Sequence, residues 1–331
     1  MKALRIHQFG GPEQLIEEDV SLPVPGQGEV LVRIHATGVN PVDFKLRNGS
    51  LKLFTGKKFP RTLGFDIAGV VERADKSSPY KPGDRVFAML PFTGGGYAEF
   101  VCVKSELLCP IPNEISMTEA AATPLAALTA LQAFRKKEYL REGDKVLING
   151  ASGGVGSFAV QIARALGAHV TAVASGKNLD FVKSLGADEV IDYTTEDFTR
   201  QSQKYHKVFD AVAKSSFRKC RRILRKGGNY VTTVPDRRLF CSMMWNFLRK
   251  KKATFIMVKP SGEDLHVIAD MIATGQVKPK IEATFPLNEG QQAHRMLETG
   301  RVRGKLVLSL EEVSSLNQET LPADPPSTAV H

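Results

Sequence analysis

The chain has 331 residues, and single hydrophobic cores seldom grow past about 250, so two domains are the starting expectation. Hydrophobic residues at 42% and charged residues at 24% exclude collagen-like, coiled-coil and wholly disordered classes, and no uncharged apolar run reaches the roughly 18 residues of a transmembrane helix. Lysine and arginine exceed the acids by 10, which raises nucleic acid, an anionic membrane or a phosphorylated ligand as partner.

Residues 1 to about 123 read as mainly β. Met1 to Ile6 alternate like a strand, without an apolar leader or an Arg/Ser-rich presequence, which predicts an intracellular, cytoplasmic protein. Strand patterns follow at 29–36, 67–71, 85–89 and 94–101, each bounded by Gly or Pro. The first helical periodicity of useful length spans 117–134.

From about 124 the rhythm becomes βα. A short apolar strand at 145–149 is of the kind buried on both faces. Helix 155–166, strand 169–174, helix 178–185, strands 189–192 and 207–212, helix 215–225 and strand 229–234 come next. That alternation predicts an α/β, doubly wound parallel sheet over 124–279. A helix lies near 261–274, and strands at 279–287 and 305–310 flank a helix at 288–299. Residues 311–331 carry three prolines among small polar and acidic residues, and read as a flexible tail.

The sharpest motif is Asn149-Gly150-Ala151-Ser152-Gly153-Gly154-Val155-Gly156, directly after the buried strand and opening a helix. That is the context of a dinucleotide loop, in which glycines allow the turn and the helix N-terminus faces a pyrophosphate. NAD sites place an acid about 20 residues further on; here Ala174-Ser175-Gly176-Lys177-Asn178 holds none. A hydroxyl, a glycine and a lysine suit a 2′-phosphate, so NADPH is the expected cofactor. Lys177 also reads as a solvated residue at a helix start.

The four cysteines, at 102, 109, 220 and 241, contain no C-x2-C pair, which argues against structural zinc. The seven histidines are dispersed and no G-x-S-x-G supports a hydrolase.

The glycine loop, together with Ala120-Ala121-Ala122-Thr123-Pro124-Leu125 upstream and Leu185-Gly186-Ala187-Asp188 downstream, resembles the medium-chain dehydrogenase/reductase superfamily. Asn40-Pro41-Val42-Asp43-Phe44-Lys45 is similar to its zinc-independent quinone oxidoreductase branch, which includes alkenal and enone reductases. The resemblance covers residues 3 to 310. It implies an N-terminal GroES-like β-barrel at 1–123, completed by about 280–310, and a Rossmann domain with NADPH in the cleft between them. Homodimers occur among such relatives.

By position it implies that Ser152, Gly153, Gly154, Val155 and Gly156 bind the pyrophosphate and that Ser175 and Lys177 bind the 2′-phosphate. Tyr193 falls on the adenosine side. Thr129, Val234 and Lys305 fall near the nicotinamide. Tyr193 and Lys305 also read as surface and core-edge residues. Asn40, Phe65 and Leu125 stand where zinc-dependent relatives have ligands, a set that cannot hold Zn²⁺.

Hydride transfer to a quinone, or to the β-carbon of an enone, needs positioning and one or two hydrogen-bond donors rather than a metal. Lys45 is the candidate catalytic donor, with a solvated loop lysine as the alternative; many quinone oxidoreductases have Tyr near this position. Asn40, Asp43 and Phe65 are candidates for substrate contact, and Asn40 and Asp43 read equally as turn-holding residues.

The basic excess is localised. Seven cations between 214 and 226 and four at 249–252 have no acid among them; without these eleven, 34 bases face 35 acids. Phe217, Cys220, Ile223 and Leu224 read as the buried face of one helix with its cations outward. Contact of both patches with an anionic membrane is the functional reading, and an NADPH-binding protein that associates with RNA or membrane is the alternative to an enzyme.

Overall fold

The computed structural model describes residues 1–136, 139–234, 237–244 and 251–310. The tail at 311–331, Pro235, Arg249 and Lys250 therefore lie outside the described residues.

Two large sheets organise the chain. The first has seven strands, running Ile281–Pro286, Lys305–Ser309, Glu29–Val39, Asp66–Ala74, Arg85–Met89 and Cys109–Pro110 in spatial order, with Phe100–Lys104 also paired to Glu29–Val39. A small sheet of Ile16–Asp19, Lys2–Ile6 and Arg61–Thr62 accompanies it. The two C-terminal strands are parallel, joined through helix Gly290–Glu298, and Lys305–Ser309 pairs antiparallel with Glu29–Val39. The chain thus returns to its first sheet after the second is complete.

The second sheet is wholly parallel, in the order Glu189–Asp192, His169–Ala174, Lys145–Asn149, Tyr205–Asp210, Leu224–Thr232, Lys252–Phe255. This is the Rossmann order, and its reversal lies between Lys145–Asn149 and Tyr205–Asp210, where such folds bind ligands. Strand Lys145–Asn149 is apolar on both faces because it sits in the middle: Val146, Leu147 and Ile148 are fully buried.

Three expectations need correction. The helix expected at 117–134 is two helices, Met117–Ala121 and Pro124–Arg135. Pro124 has no N–H to continue the first helix and suits the first turn of the second. A helix at Pro41–Arg47 was not foreseen, although Asn40, Pro41 and Asp43 carry a capping box and an N-terminal proline.

The predicted helix 215–225 is only Phe217–Cys220, and strand Leu224–Thr232 takes over. Phe217, Cys220, Ile223 and Leu224 are buried as read, but the last belongs to a strand paired with Tyr205–Asp210. Arg225 and Lys226 accordingly sit on a strand rather than an outward helical face.

Candidate functional site

The glycine loop lies at the sheet reversal. The Asn149 amide donates to Asp210 Oδ1 at 2.9 Å, tying the ends of the two strands that flank the reversal. Buried Asp210 also accepts from the Tyr230 hydroxyl at 3.0 Å and the Ser215 N–H at 2.8 Å, so its carboxylate braces the floor of the cleft. Gly150 turns the chain with φ of +79°, a conformation that favours glycine. A Cβ on Gly156 would stand 2.1 Å from the Gly150 carbonyl oxygen, so only glycine lets helix Gly154–Ala165 start this close to the loop. The first N–H groups of that helix have no intrahelical acceptor and carry its positive dipole end.

Loop and strand ends line a cleft of about 860 Å³. Of the predicted cofactor residues, Ser152, Gly153, Ser175, Lys177 and Tyr193 line it. Gly154, Val155 and Gly156 form the adjoining first turn of the helix. Buried Asn178, not anticipated from sequence, donates to Ser152 Oγ and Ser175 Oγ, each at 3.2 Å, and so holds two hydroxyls at the rim. Lys214 and Arg301 are further lining cations, the latter from the loop before strand Lys305–Ser309. Neither had a signal beyond its charge.

One acidic neighbour was also missed. A Cβ on Gly176 would lie 2.6 Å from Asp192 Oδ2, at the end of the next strand. The carboxylate is held by the Thr194 N–H at 2.9 Å and hydroxyl at 2.7 Å, and these bonds keep it below its ordinary pKa.

Three predicted cofactor residues outside the glycine loop, Thr129, Val234 and Lys305, are not brought to the cleft lining; Lys305 is buried in the polar cluster described below. The Thr129 hydroxyl turns back on its own helix, donating to the Leu125 carbonyl at 2.6 Å. Val234 is half-exposed beyond strand Leu224–Thr232.

Beside the glycine loop is a buried polar cluster. Asn40, the N-cap of helix Pro41–Arg47, donates through Nδ2 to Asp66 Oδ2 at 2.8 Å and accepts at Oδ1 from Lys305 Nζ. Lys305 Nζ also lies 3.2 Å from Asp66 Oδ2, and Asp66 Oδ1 accepts the Leu125 N–H at 2.7 Å. Burial pushes the Asp66 carboxyl above its ordinary range despite the pull of Lys305. Asp43 accepts the N–H groups of Asn40 at 2.8 Å and Gly64 at 3.0 Å, and burial pushes it up to about 7. Asn40 and Asp43 thus have their polar atoms committed to protein partners, the turn-holding arrangement.

Lys45 lies on the same short helix, half-buried, and burial alone lowers its ammonium pKa. Phe65 is fully buried, its ring 5.7 Å from that of the partly exposed Phe92. Behind the helix, Arg47 Nε donates to His294 Nδ1 at 3.3 Å, and His294 Nε2 meets the Tyr97 hydroxyl at 3.1 Å. Arg47 also pairs with Glu298. Burial, with Arg47 beside it, pushes the His294 imidazole down to about 3. Among the described residues no cluster of His, Cys, Asp and Glu assembles as a metal site, and no helix is long and apolar enough to cross a membrane.

Comparison with known proteins matches this architecture. Residues 26–113 match the alcohol dehydrogenase GroES-like domain, and residues 185–308 the zinc-binding dehydrogenase family. A chloroplast envelope quinone oxidoreductase homologue of Arabidopsis thaliana is 35% identical, covering 93% of this chain and 98% of its own. The 2-methylene-furan-3-one reductase of Solanum lycopersicum is 33% identical, covering 93% and 79%. Among solved structures, the Coxiella burnetii quinone oxidoreductase superposes with a TM-score of 0.85 at 33% identity, covering 94% and 99%. The Escherichia coli quinone oxidoreductase, complexed with NADPH, does so with 0.82 at 26%, covering 93% and 100%. The chain is an oxidoreductase of the medium-chain dehydrogenase/reductase superfamily and belongs to its quinone oxidoreductase branch.

Proposed function

We propose that the chain is an NADPH-dependent reductase that transfers hydride to quinones or to the C=C bond of α,β-unsaturated carbonyls, without zinc. The observation that carries this reading is the glycine-loop cleft with Ser175 and Lys177 on its rim. NADPH is favoured by Lys177 and by Ser175, which Asn178 holds in place; the Escherichia coli relative is described with that cofactor. When bound, the nicotinamide supplies the hydride.

The donor set argues against a metal. At the positions of zinc ligands in relatives stand Asn40, Phe65 and Leu125; Phe65 and Leu125 offer no side-chain ligand, and a lysine ammonium already lies against Asp66. An acceptor whose charge develops on a remote oxygen needs only a donor there. Lys45, its pKa lowered by burial, is the proposed proton or hydrogen-bond donor, and Asn40 and Asp43 hold the turn that presents it. If Lys45→Ala leaves enone and quinone turnover unchanged, Lys45 has no part in the chemistry.

The deciding experiment follows NADPH and NADH oxidation with 9,10-phenanthrenequinone and with a short enone. Acceptor-dependent consumption, faster with NADPH, is expected. Tight NADPH binding without turnover of either acceptor favours the non-enzymatic reading. A cytoplasmic setting and a homodimer are part of the proposal; cell fractionation and light scattering decide them.

A second reading concerns the basic stretches. Lys204 Nζ donates to the Arg222 carbonyl and Lys251 Nζ to the Arg221 carbonyl, each at 2.9 Å, which holds like charges together beside the starts of the parallel strands. Burial lowers the Lys251 pKa, and Lys204 and Arg221 add to it. We propose that this face contacts anionic membrane, tested by salt-sensitive sedimentation with phosphatidylserine vesicles; no retention at low salt removes the reading.

A further inference from the structure

We propose that Asp66 is a positioning residue whose single carboxylate sets the acceptor-side helix Pro41–Arg47 against the glycine loop. Asp66 opens strand Asp66–Ala74 and is fully buried. Its carboxylate takes three donors from three distant segments. Leu125 N–H is bonded at 2.7 Å, Asn40 Nδ2 at 2.8 Å and Lys305 Nζ at 3.2 Å.

Each donor marks a different element. Leu125 lies in the first turn of helix Pro124–Arg135, whose N-cap, Thr123, makes no cap bond and instead donates its hydroxyl to the Glu119 carbonyl at 2.8 Å. Asp66 therefore supplies that helix, from another part of the chain, with the acceptor and negative charge its N-terminus lacks. Asn40 starts the helix that bears Lys45.

Lys305 leads to the glycine loop. The Gly304 N–H donates to the Ser152 carbonyl at 2.9 Å, and a Cβ on Gly154 would meet the Lys305 stem at 3.0 Å. Gly38 makes room for the junction, since a Cβ there would lie 2.7 Å from Asp66 Oδ2. A buried carboxylate is tolerated where its lone pairs are filled and a cation is adjacent, and Asp66 meets both conditions.

The kinetic part of this inference rests on the reductase reading; the structural part does not. Asp66→Asn keeps shape and one acceptor but turns the second oxygen into a donor facing two donors. We expect kcat for the quinone, per titrated NADPH site, to fall about tenfold or more while the NADPH Kd moves less than about threefold. Amide exchange should quicken at 40–47 and 124–127 and stay unchanged in strand Tyr205–Asp210.

The paired change Asn40→Asp with Asp66→Asn returns a carboxylate between Lys305 and residue 66, and should recover most of both effects. A folded Asp66→Asn protein with unchanged kcat and unchanged exchange overturns the proposal, as does a paired variant no better than the single one. If Asp66→Asn does not fold, Lys305→Met must quicken exchange at 40–47, and unchanged exchange overturns it equally. If the wild-type protein turns over no acceptor, the reductase reading fails while the exchange measurements still decide the role of Asp66.

Discussion

At the glycine loop a Cβ on Gly156 would stand 2.1 Å from a backbone oxygen, whereas the cluster at Asn40 is bonded through buried polar side chains, with Asp66 at 0% exposure and Lys305 at 3%. The first region is made of backbone: a turn, glycines and a helix N-terminus open to a cleft. The second is made of buried charge. A backbone-made site is broken by added volume, because nothing there can give way. A site of buried charge is broken by changes that keep volume and alter hydrogen-bonding sense, because an unmatched buried polar group costs about 1–3 kcal/mol.

The largest expected effect tests the first half of that contrast. Gly156→Val should weaken NADPH binding by about 100-fold or prevent folding, read by fluorescence titration and circular dichroism, since the added carbon has no free space. Retention of near-wild-type affinity would mean that the loop moves freely and that the contrast is wrong.

A smaller effect is expected at the open rim. Lys177→Ala should raise the NADPH Kd about tenfold and leave the NADH Kd nearly unchanged, because its charge is useful only to a 2′-phosphate. Asp192→Asn in the same titrations should tighten NADPH by about twofold to threefold, from removal of an exposed like charge. Equal losses for NADPH and NADH in the lysine variant would assign Lys177 to the pyrophosphate or to solvent.

The buried region has a pH signature of the smallest size. Arg47 Nε–H donates to His294 Nδ1, so the neutral ring carries its proton on Nε2, and protonating Nδ1 would break that bond and set two cations together. The folded pKa, about 3, lies below the ordinary 6.5. The stabilising contribution of the neutral ring is therefore complete above about pH 6.5 and lost as pH falls towards 3. His294→Gln should lower Tm at pH 7, and the gap from wild type should narrow at pH 4. A gap that stays constant would contradict the assignment.

How far the sequence is readable follows the same division. The glycine loop was legible because its constraint is local: turn, pyrophosphate cradle and helix start lie within eight residues, from Asn149 to Gly156. The β/α alternation from residue 145 to 234 was legible, but the edge strand Lys252–Phe255, which begins in the basic run at 249–252, was not foreseen. The stretch after Ser216 was misread because apolar residues at 217, 220, 223 and 224 fit one helical face, and only pairing with Tyr205–Asp210 draws Leu224 into a strand.

Asp66 stood out only as the acid of Gly64-Phe65-Asp66, without a sign of its bonding role, and His294 gave no signal. Their partners Lys305 and Arg47 are 239 and 247 residues away, and an isolated acid or histidine in the text does not announce its burial. Asn40 and Asp43 were visible, but that their bonds point inward appears only in three dimensions.

The central claim is conjugate hydride transfer from the nicotinamide, and the most direct measurement follows the label. NADPH deuterated at C4 of the nicotinamide is incubated with the protein and a short enone, and the product is examined by NMR. Deuterium at the β-carbon, with the α-proton drawn from solvent, is the predicted result. Deuterium at the carbonyl carbon, or no transfer despite NADPH binding, would contradict it.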